Sequence, residues 1–464
     1  AVGTSADINY ASQVKGKPTK SENLSRYAGL NGIFNYSYDN IYLADLSIRY
    51  EGSSLFGKEQ QSTPYWSGGV GLNIHNYNFL KESALISRLK VRTSYGQVGN
   101  VNFEPYMSHN YFQSIYDDWY ITGYGNKLYY MGNSNLKSEK TNTFDVSLDL
   151  SLLEDNINFT ATYYNKKTND MINDVTVPSS SGFKSYKDNI GKIRNRGVEL
   201  SLYANVLNRE DCFLSVNANF AKNKEVLLKI AESLKHYNER VNEKYNDYDI
   251  DPTKKEYSEV YTKYEEGGST TSIYGMKSLG IDPANGKEVY VDRAGNVTYD
   301  YIPSQQVIIG NTAPKGQGSF GFNLRWKNLT LTSVFLYEFG GDRYNETLVN
   351  YVENADIAFS NVDRRVLSQR WQNPGDVTSL KDIKDISETT RATSRFVQKY
   401  NLLSMNSLTL QYEFSDKITR ALHVNRLRLE ANTGELFRCC SVKQERGLGY
   451  PFAKNFNFTL MVNF

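Results

Sequence analysis

The sequence has no run of about 18 consecutive apolar residues, the length a helix needs to cross a bilayer, and this excludes a helical membrane protein. Cysteine is scarce. Cys212 and the adjacent Cys439 and Cys440 are too few and too unevenly spaced for a disulfide framework. The four histidines, His75, His109, His236 and His423, lie far apart without metal-ligand spacing. No Gly-x-Ser-x-Gly elbow, phosphate-binding glycine loop or Cys-x-x-Cys pair occurs, so the chain is not expected to be an enzyme. Charge of one sign is also missing. Lys plus Arg (53) nearly balances Asp plus Glu (51), with no long basic run, so nucleic acid is not an expected partner. The first residues, AVGTSADINY, contain neither a basic n-region nor an apolar h-region, so any secretory signal is expected to have been removed or to lie upstream.

Aromatic residues are what the chain has in quantity. Tyr (36) and Phe (22) bring the aromatic share to 13%, yet mean hydropathy is a polar −0.56. A soluble core rarely combines the two. A transmembrane β-barrel does, because its strands alternate outward apolar with inward polar residues and place aromatic girdles at both interfaces.

Alternation at period two runs through the sequence. Ala28, Leu30, Gly32, Phe34, Tyr36 and Tyr38 share one parity, and after Asp39-Asn40 the residues Tyr42, Ala44, Leu46, Ile48 and Tyr50 resume it, which reads as a tight hairpin. Similar segments recur at 66–74, 89–98, 144–150, 157–163, 198–206, 214–220, 320–326, 329–337, 408–414, 427–431 and 456–464. The expectation is an all-β antiparallel sheet of about 13 strands, most of them about ten residues long. The connections alternate as well. Asp39-Asn40, 153–156, 207–211 and Lys327-Asn328 are tight, with longer ones at 75–88 and 415–424, whereas 100–141, 166–195, 222–316, 338–400 and 433–455 are long. Short periplasmic turns at one end and long extracellular loops at the other are the layout of an outer-membrane barrel. A soluble β-sandwich also alternates, but rarely carries repeated loops of this length.

Two loops contain candidate binding residues. Tyr111, Phe112, Trp119, Tyr120 and Tyr124 flank Asp117 and Asp118, and aromatics beside carboxylates suit sugar rings or peptides; interfacial packing is the plainer role for any one of them. Asp247, Asp249 and Asp251 alternate as carboxylates do in some calcium loops, but without the turn glycine, so no cofactor is expected and calcium stands only as the alternative to a solvated acidic loop. Cys439 and Cys440 receive no role; a vicinal disulfide and two free thiols are both open.

Tyr36–Gly57, Leu89–Asn100, Asn135–Ile172, Asn189–Leu202, Gly280–Thr298, Ile308–Thr332 and Tyr450–Phe464, in order along the chain, resemble the barrel of SusC/RagA-type TonB-dependent transporters. YSYDNIYLADLSIRYEGSSLFG (Tyr36–Gly57) resembles that family's hairpin ending in Arg-x-Asp-Gly-Ser-Ser-x-Phe-Gly, with Glu51 where Asp is usual. LKVRTSYGQVGN (Leu89–Asn100), NLKSEKTNTFDVSLDLSLLEDNINFTATYYNKKTNDMI (Asn135–Ile172) and NIGKIRNRGVELSL (Asn189–Leu202) follow its pattern. So do GIDPANGKEVYVDRAGNVT (Gly280–Thr298), IIGNTAPKGQGSFGFNLRWKNLTLT (Ile308–Thr332) and YPFAKNFNFTLMVNF (Tyr450–Phe464). Phe456, Phe458, Leu460, Val462 and Phe464 resemble the terminal-strand signal read by the barrel assembly machinery.

The resemblance implies a barrel of twenty-two strands with an N-terminal plug inside it, in the cell outer membrane. Residues 1–464 would then be its C-terminal part, with the plug and first strands in a longer polypeptide or a companion chain. It further implies a SusD-like surface lipoprotein as lid, energy from TonB–ExbB–ExbD, and oligosaccharide or oligopeptide cargo. The alternative from another class is a barrel that transports nothing and serves as a surface adhesin or assembly platform.

Overall fold

The computed structural model describes residues 24–55, 62–100, 107–120, 123–176, 183, 185–189, 191–230, 232–246, 258–355, 357, 362–382, 384, 389–443 and 453–464. Thirteen long strands form one antiparallel sheet in which each strand pairs with its neighbours in sequence. They are β1 (Tyr27–Tyr38), β2 (Tyr42–Ser53), β3 (Ser62–Asn73), β4 (Ile86–Asn100), β5 (Glu139–Leu152), β6 (Ile157–Asn169) and β7 (Lys192–Arg209). After these come β8 (Cys212–Lys229), β9 (Gly316–Trp326), β10 (Leu329–Tyr344), β11 (Val397–Glu413), β12 (Arg426–Thr433) and β13 (Phe456–Asn463). A short strand at Arg438–Cys440 adds to β11 as the fourteenth member. Among the described residues β1 pairs only with β2, and β13 only with β12, so both edges of the sheet are open.

Register carries the alternation along the sheet, interrupted by bulges at Ile86/Arg88, Lys192/Ile193, Asn205/Leu207, Val334/Phe335 and Glu338/Gly341. Phe34 opposes Leu46, Leu46 opposes Gly68, Gly68 opposes Tyr95 and Tyr95 opposes Phe144. Farther along, Phe159 opposes Leu202, Ala218 opposes Phe320, Phe320 opposes Phe335, and Ala431 opposes Phe458. Opposed residues in an antiparallel pair share a face, so these assignments assemble one continuous apolar surface. Tight turns hold that register. The first turn has three residues rather than the expected two, since Tyr38 opposes Tyr42 across Asp39, Asn40 and Ile41; Asp39 and Asn40 are left-handed at φ 52° and 53°, and Leu153, Glu154, Asp155 and Lys327 take the same region at two other turns of this end.

The apolar face is bounded by aromatics. Near the short turns Tyr42 lies 6.3 Å from both Tyr38 and Tyr77, and Tyr77 donates to the Tyr42 hydroxyl at 2.9 Å. Toward the long loops Trp66 packs edge-on against Tyr95 at 5.6 Å, and Phe220 stacks on Phe339 at 6.4 Å. The eight residue steps from Tyr42 to Tyr50 span ~27 Å of strand, or ~21 Å after a tilt of ~40°, close to the ~25 Å apolar band of a membrane barrel.

The opposite face is a lattice of hydroxyls, amides and charges. Ser94 donates to Asp145 Oδ1 at 2.6 Å, Ser147 meets Thr162 at 2.9 Å, Ser151 donates to Asn158 at 2.7 Å and Gln411 donates to Glu430 at 2.9 Å.

Two expectations need correction. Most strands are longer than about ten residues, reaching 18 in both β7 and β8, while β12 and β13 have eight each. Alternation in the sequence fades where outward residues turn polar, but the backbone ladder is indifferent to side-chain polarity and continues beyond the apolar band. The connection expected at 415–424 also contains a short helix, Asp416–Ala421.

Candidate functional site

The long connections all gather at one end of the sheet, where they build three structures. The aromatic segment is a hairpin rather than an irregular loop. Tyr111–Tyr120 pairs with Gly123–Tyr130, with register shifts at Tyr111/Phe112 and Ile115/Trp119. Tyr111 stacks on Tyr130 at 5.2 Å and tilts against Tyr129 at 5.5 Å, while Phe112 and Tyr129 are exposed. Asp117, Asp118, Trp119 and Tyr120 lie on the first strand and Tyr124 on the second; their side chains lie outside the described residues.

Polar side chains tie the base of this hairpin to the next long connection. Asn189 donates to the carbonyls of Lys137 and Asp170, each at 2.8 Å, and accepts from the Lys137 amide at 2.9 Å. Asn133 donates to Asp188 Oδ1 at 2.8 Å, and Lys137 pairs with Asp170 at 3.2 Å. One asparagine thus serves three backbone groups in segments far apart in sequence.

The connections between β8 and β9 and between β10 and β11 fold together into a cap with its own core. Ile273, Tyr344, Val349, Val352, Val366, Leu380 and Phe396 are buried in contact with one another. Small strands at Ser272–Gly275 and Val307–Asn311 pair, and Lys277–Ile281, Glu288–Val291 and Val297–Thr298 form a second sheet. The Trp371 ring lies over Gly286, at φ 73°, where an added Cβ would sit 2.6 Å from the ring, and its indole N–H donates to the Pro283 carbonyl at 2.9 Å. A helix, Glu232–Asn246, rests beside the cap, with Leu234 packed among Ile193, Leu227 and Ile230.

Buried charge links the cap's segments. The Arg395 guanidinium donates to Glu288 at 2.8 Å, Glu353 at 2.6 Å and the Ser379 carbonyl at 2.7 Å. Burial opposes its charge, but the two carboxylates overcome that and hold Arg395 above the usual arginine range. Arg370 donates to the carbonyls of Val366 at 3.1 Å, Lys381 at 3.2 Å and Glu353 at 2.9 Å, and burial lowers it from its usual value. Two guanidiniums against two carboxylates leave the cluster neutral. Elsewhere, Lys263 donates to Asn242 of the helix and to the Pro303 carbonyl at 3.4 Å, and burial lowers it to about 8. Burial pushes Tyr274 up to about 12. No sequence signal marked Arg395, because its partners lie 107 and 42 positions away.

On the polar face of β6–β10 a groove of about 600 Å³ is lined by Thr160, Thr162, Glu199, Asn219, Gln317 and Glu338. Ala221, Leu336 and Leu402 line the groove as well, so its hydroxyls, amides and carboxylates offer hydrogen bonds to peptide groups or sugar hydroxyls beside apolar surface. The acidic triplet Asp247, Asp249 and Asp251 lies outside the described residues. Phe456, Phe458, Leu460 and Val462 occupy one face of β13, and exposed Phe464 follows that strand. Cys439 and Cys440 hold free thiols on the short strand beside β11.

A family model described as TonB dependent receptor-like, beta-barrel matches residues 3–344. TonB-dependent receptor P3 of Formosa agariphila is 27% identical over 89% of this chain and 41% of its own length. TonB-dependent receptor SusC of Bacteroides thetaiotaomicron is 27% identical over 83% of this chain and 37% of its own. Among solved structures, the RagAB peptide transporter superposes with a TM-score of 0.75 at 23% identity, covering 90% of this chain and 44% of that one. The chain thus spans about two fifths of the length of the relatives it matches.

Proposed function

The chain belongs to the TonB dependent receptor-like β-barrel family, and from that premise we propose that it forms the C-terminal wall and outer cap of an energised outer-membrane nutrient importer. The observation that carries the reading is the division of thirteen registered strands, apart from a few bulges, into an apolar and a polar face, with the long connections at one end. Lipid meets the first face and cargo passes along the second. The open edges of β1 and β13 pair with further strands, because an unpaired backbone group in hydrocarbon costs several kcal/mol. Those strands and a plug come from a longer polypeptide or a companion chain. Residues Phe456, Phe458, Leu460, Val462 and Phe464 present the assembly signal.

The cargo is an oligopeptide or oligosaccharide received by the outer connections. The aromatic hairpin with Tyr111, Phe112, Asp117, Asp118, Trp119, Tyr120 and Tyr124 makes the first contacts, and the polar groove with Glu199 and Glu338 lies on the inward route. A SusD-like lipoprotein serves as lid; the exposed apolar residues Leu279, Leu367 and Val377 on the cap suit such a partner. The TonB–ExbB–ExbD machinery supplies the energy.

Intact-mass and N-terminal analysis of the native outer-membrane complex tests the reading. A polypeptide of roughly twice this mass, or a companion bearing a plug, is expected. Absence of a plug from the whole complex would overturn import and favour a surface platform.

A further inference from the structure

The outward surface where β5–β8 leave the apolar band is, we infer, a binding site for the phosphate-bearing headgroups of outer-leaflet lipid; this rests on the reading of the chain as a membrane barrel. On these four strands the last large apolar outward residues are Phe144, Tyr163, Val198 and Phe220. The register and alternation set the next two outward positions on each: Asn142 and Lys140, Asn165 and Lys167, Arg196 and Arg194, Lys222 and Lys224. Six of these eight positions are basic and none is acidic. The carboxylates at this level fall on the opposite face. Glu139 accepts there from the Ile172 amide at 2.8 Å, and Glu225 from Ser269 and the Thr270 amide, each at 2.9 Å.

Among the described residues none of the six cations forms a salt bridge. Arg194 Nε is a buried donor without a partner. The cap overhangs the top of β8 and bounds an open recess of about 500 Å³ whose lining includes Lys222, Lys224, Lys315 and Lys399 together with the carboxylates Glu225 and Asp342 at its inner side. Of these lysines, Lys399 pairs with Asp342 at 2.6 Å, and among the described residues no salt bridge reaches Lys222, Lys224 or Lys315. At the equivalent level on β1–β4 the next two outward positions are Ala28 and Arg26, Gly52 and Ser54, Pro64 and Ser62, and Gln97 and Gly99, one basic residue against six, so strand tops are not basic as a rule.

Position selects the occupant. The cations begin one outward residue beyond the apolar band, within a Debye length of the plane in which lipid phosphates lie. Guanidinium and ammonium groups bind phosphate oxygens by charge-assisted hydrogen bonds, and the apolar band directly below accommodates the attached acyl chains. A soluble acidic protein would have no use for that continuity.

The test reconstitutes the native outer-membrane complex into phosphatidylcholine nanodiscs with and without a small fraction of diphosphorylated lipid A. Lipid A retained per complex is measured by native mass spectrometry. Wild type and a K81Q/K417Q control at the short-turn end retain it, and enzymatic removal of the phosphates abolishes retention. In R194Q/R196Q/K222Q/K224Q, affinity falls at least about a hundredfold at ~1 kcal/mol per charge. Heat-modified gel mobility confirms that the variant barrel is folded. Undiminished retention by the folded variant, or retention that survives dephosphorylation, would overturn the site. A complex that inserts and keeps its phosphate selectivity but imports nothing would overturn import alone.

Discussion

The wall and the cap of this protein are stabilised in different ways. In the wall each strand is held by its neighbours' ladders, and its side chains need only the correct parity, apolar outward and polar inward. The cap has no lipid and no long ladder. It relies on a small core around Phe396 and Val349 and on a neutral buried cluster of Arg395, Arg370, Glu288 and Glu353. The wall tolerates many side chains at a given position, whereas the cap depends on particular pairs.

The largest test of this difference is Arg395→Ala. It strands two buried carboxylates, so it is expected to destabilise the cap by about 3–5 kcal/mol while the wall still folds. Limited proteolysis should cut at 258–315 and 345–396 with the heat-modified mobility of the barrel unchanged. Loss of barrel folding in that variant would show that the two regions are one cooperative unit.

In the wall, parity should outweigh residue identity. Leu200→Arg on the apolar face is expected to cost about 2–4 kcal/mol near mid-bilayer. Ser201→Arg, one residue on and facing inward, should cost less than about 1 kcal/mol. Urea titration of folding into lipid vesicles measures both, and equal costs would contradict the facial assignment.

Between the regions, Asn189→Ala removes a side chain that satisfies three backbone groups, at a cost of about 1–2 kcal/mol. Hydrogen exchange should quicken in the aromatic hairpin 111–130 and stay unchanged in β5 and β6. The smallest expected effect is a pH dependence of the cap. Burial lowers Lys263 to about 8 from its ordinary 10.5, so the unfolded state binds more protons between those values. Cap stability therefore rises with pH through that window and is penalised below about 8. Lys263→Met should flatten the rise in hydrogen-exchange protection; a persistent slope would assign it to another group.

The wall was largely legible. All thirteen strands appear where alternation placed them, from β1 to β13, because a period-two pattern reports directly which residues face which environment. Their upper ends were not legible. Lys222–Lys229 in β8 and Lys192–Gly197 in β7 have no clear apolar parity, and only pairing with the next strand extends them. In the sequence the hairpin at 111–130 looks like an aromatic loop because its strands alternate poorly, with register shifts at both Tyr111 and Ile115. In the cap, Glu288, Glu353 and Arg395 look like ordinary surface charges in long loops until the chain folds back and buries them together.

What the sequence by itself determined is therefore the pattern of faces: strand positions, which end carries the long connections, and an apolar band wide enough for a bilayer. Those properties are local, set by each residue's parity and by turn residues such as Asp39 and Asn40. Tertiary structure alone decided the neutral cluster in the cap, the Asn189 tether and the gathering of Arg194, Arg196, Lys222 and Lys224 on one outward surface. Each depends on register or contact between segments separated in sequence, and neither composition nor periodicity encodes which distant residues will meet.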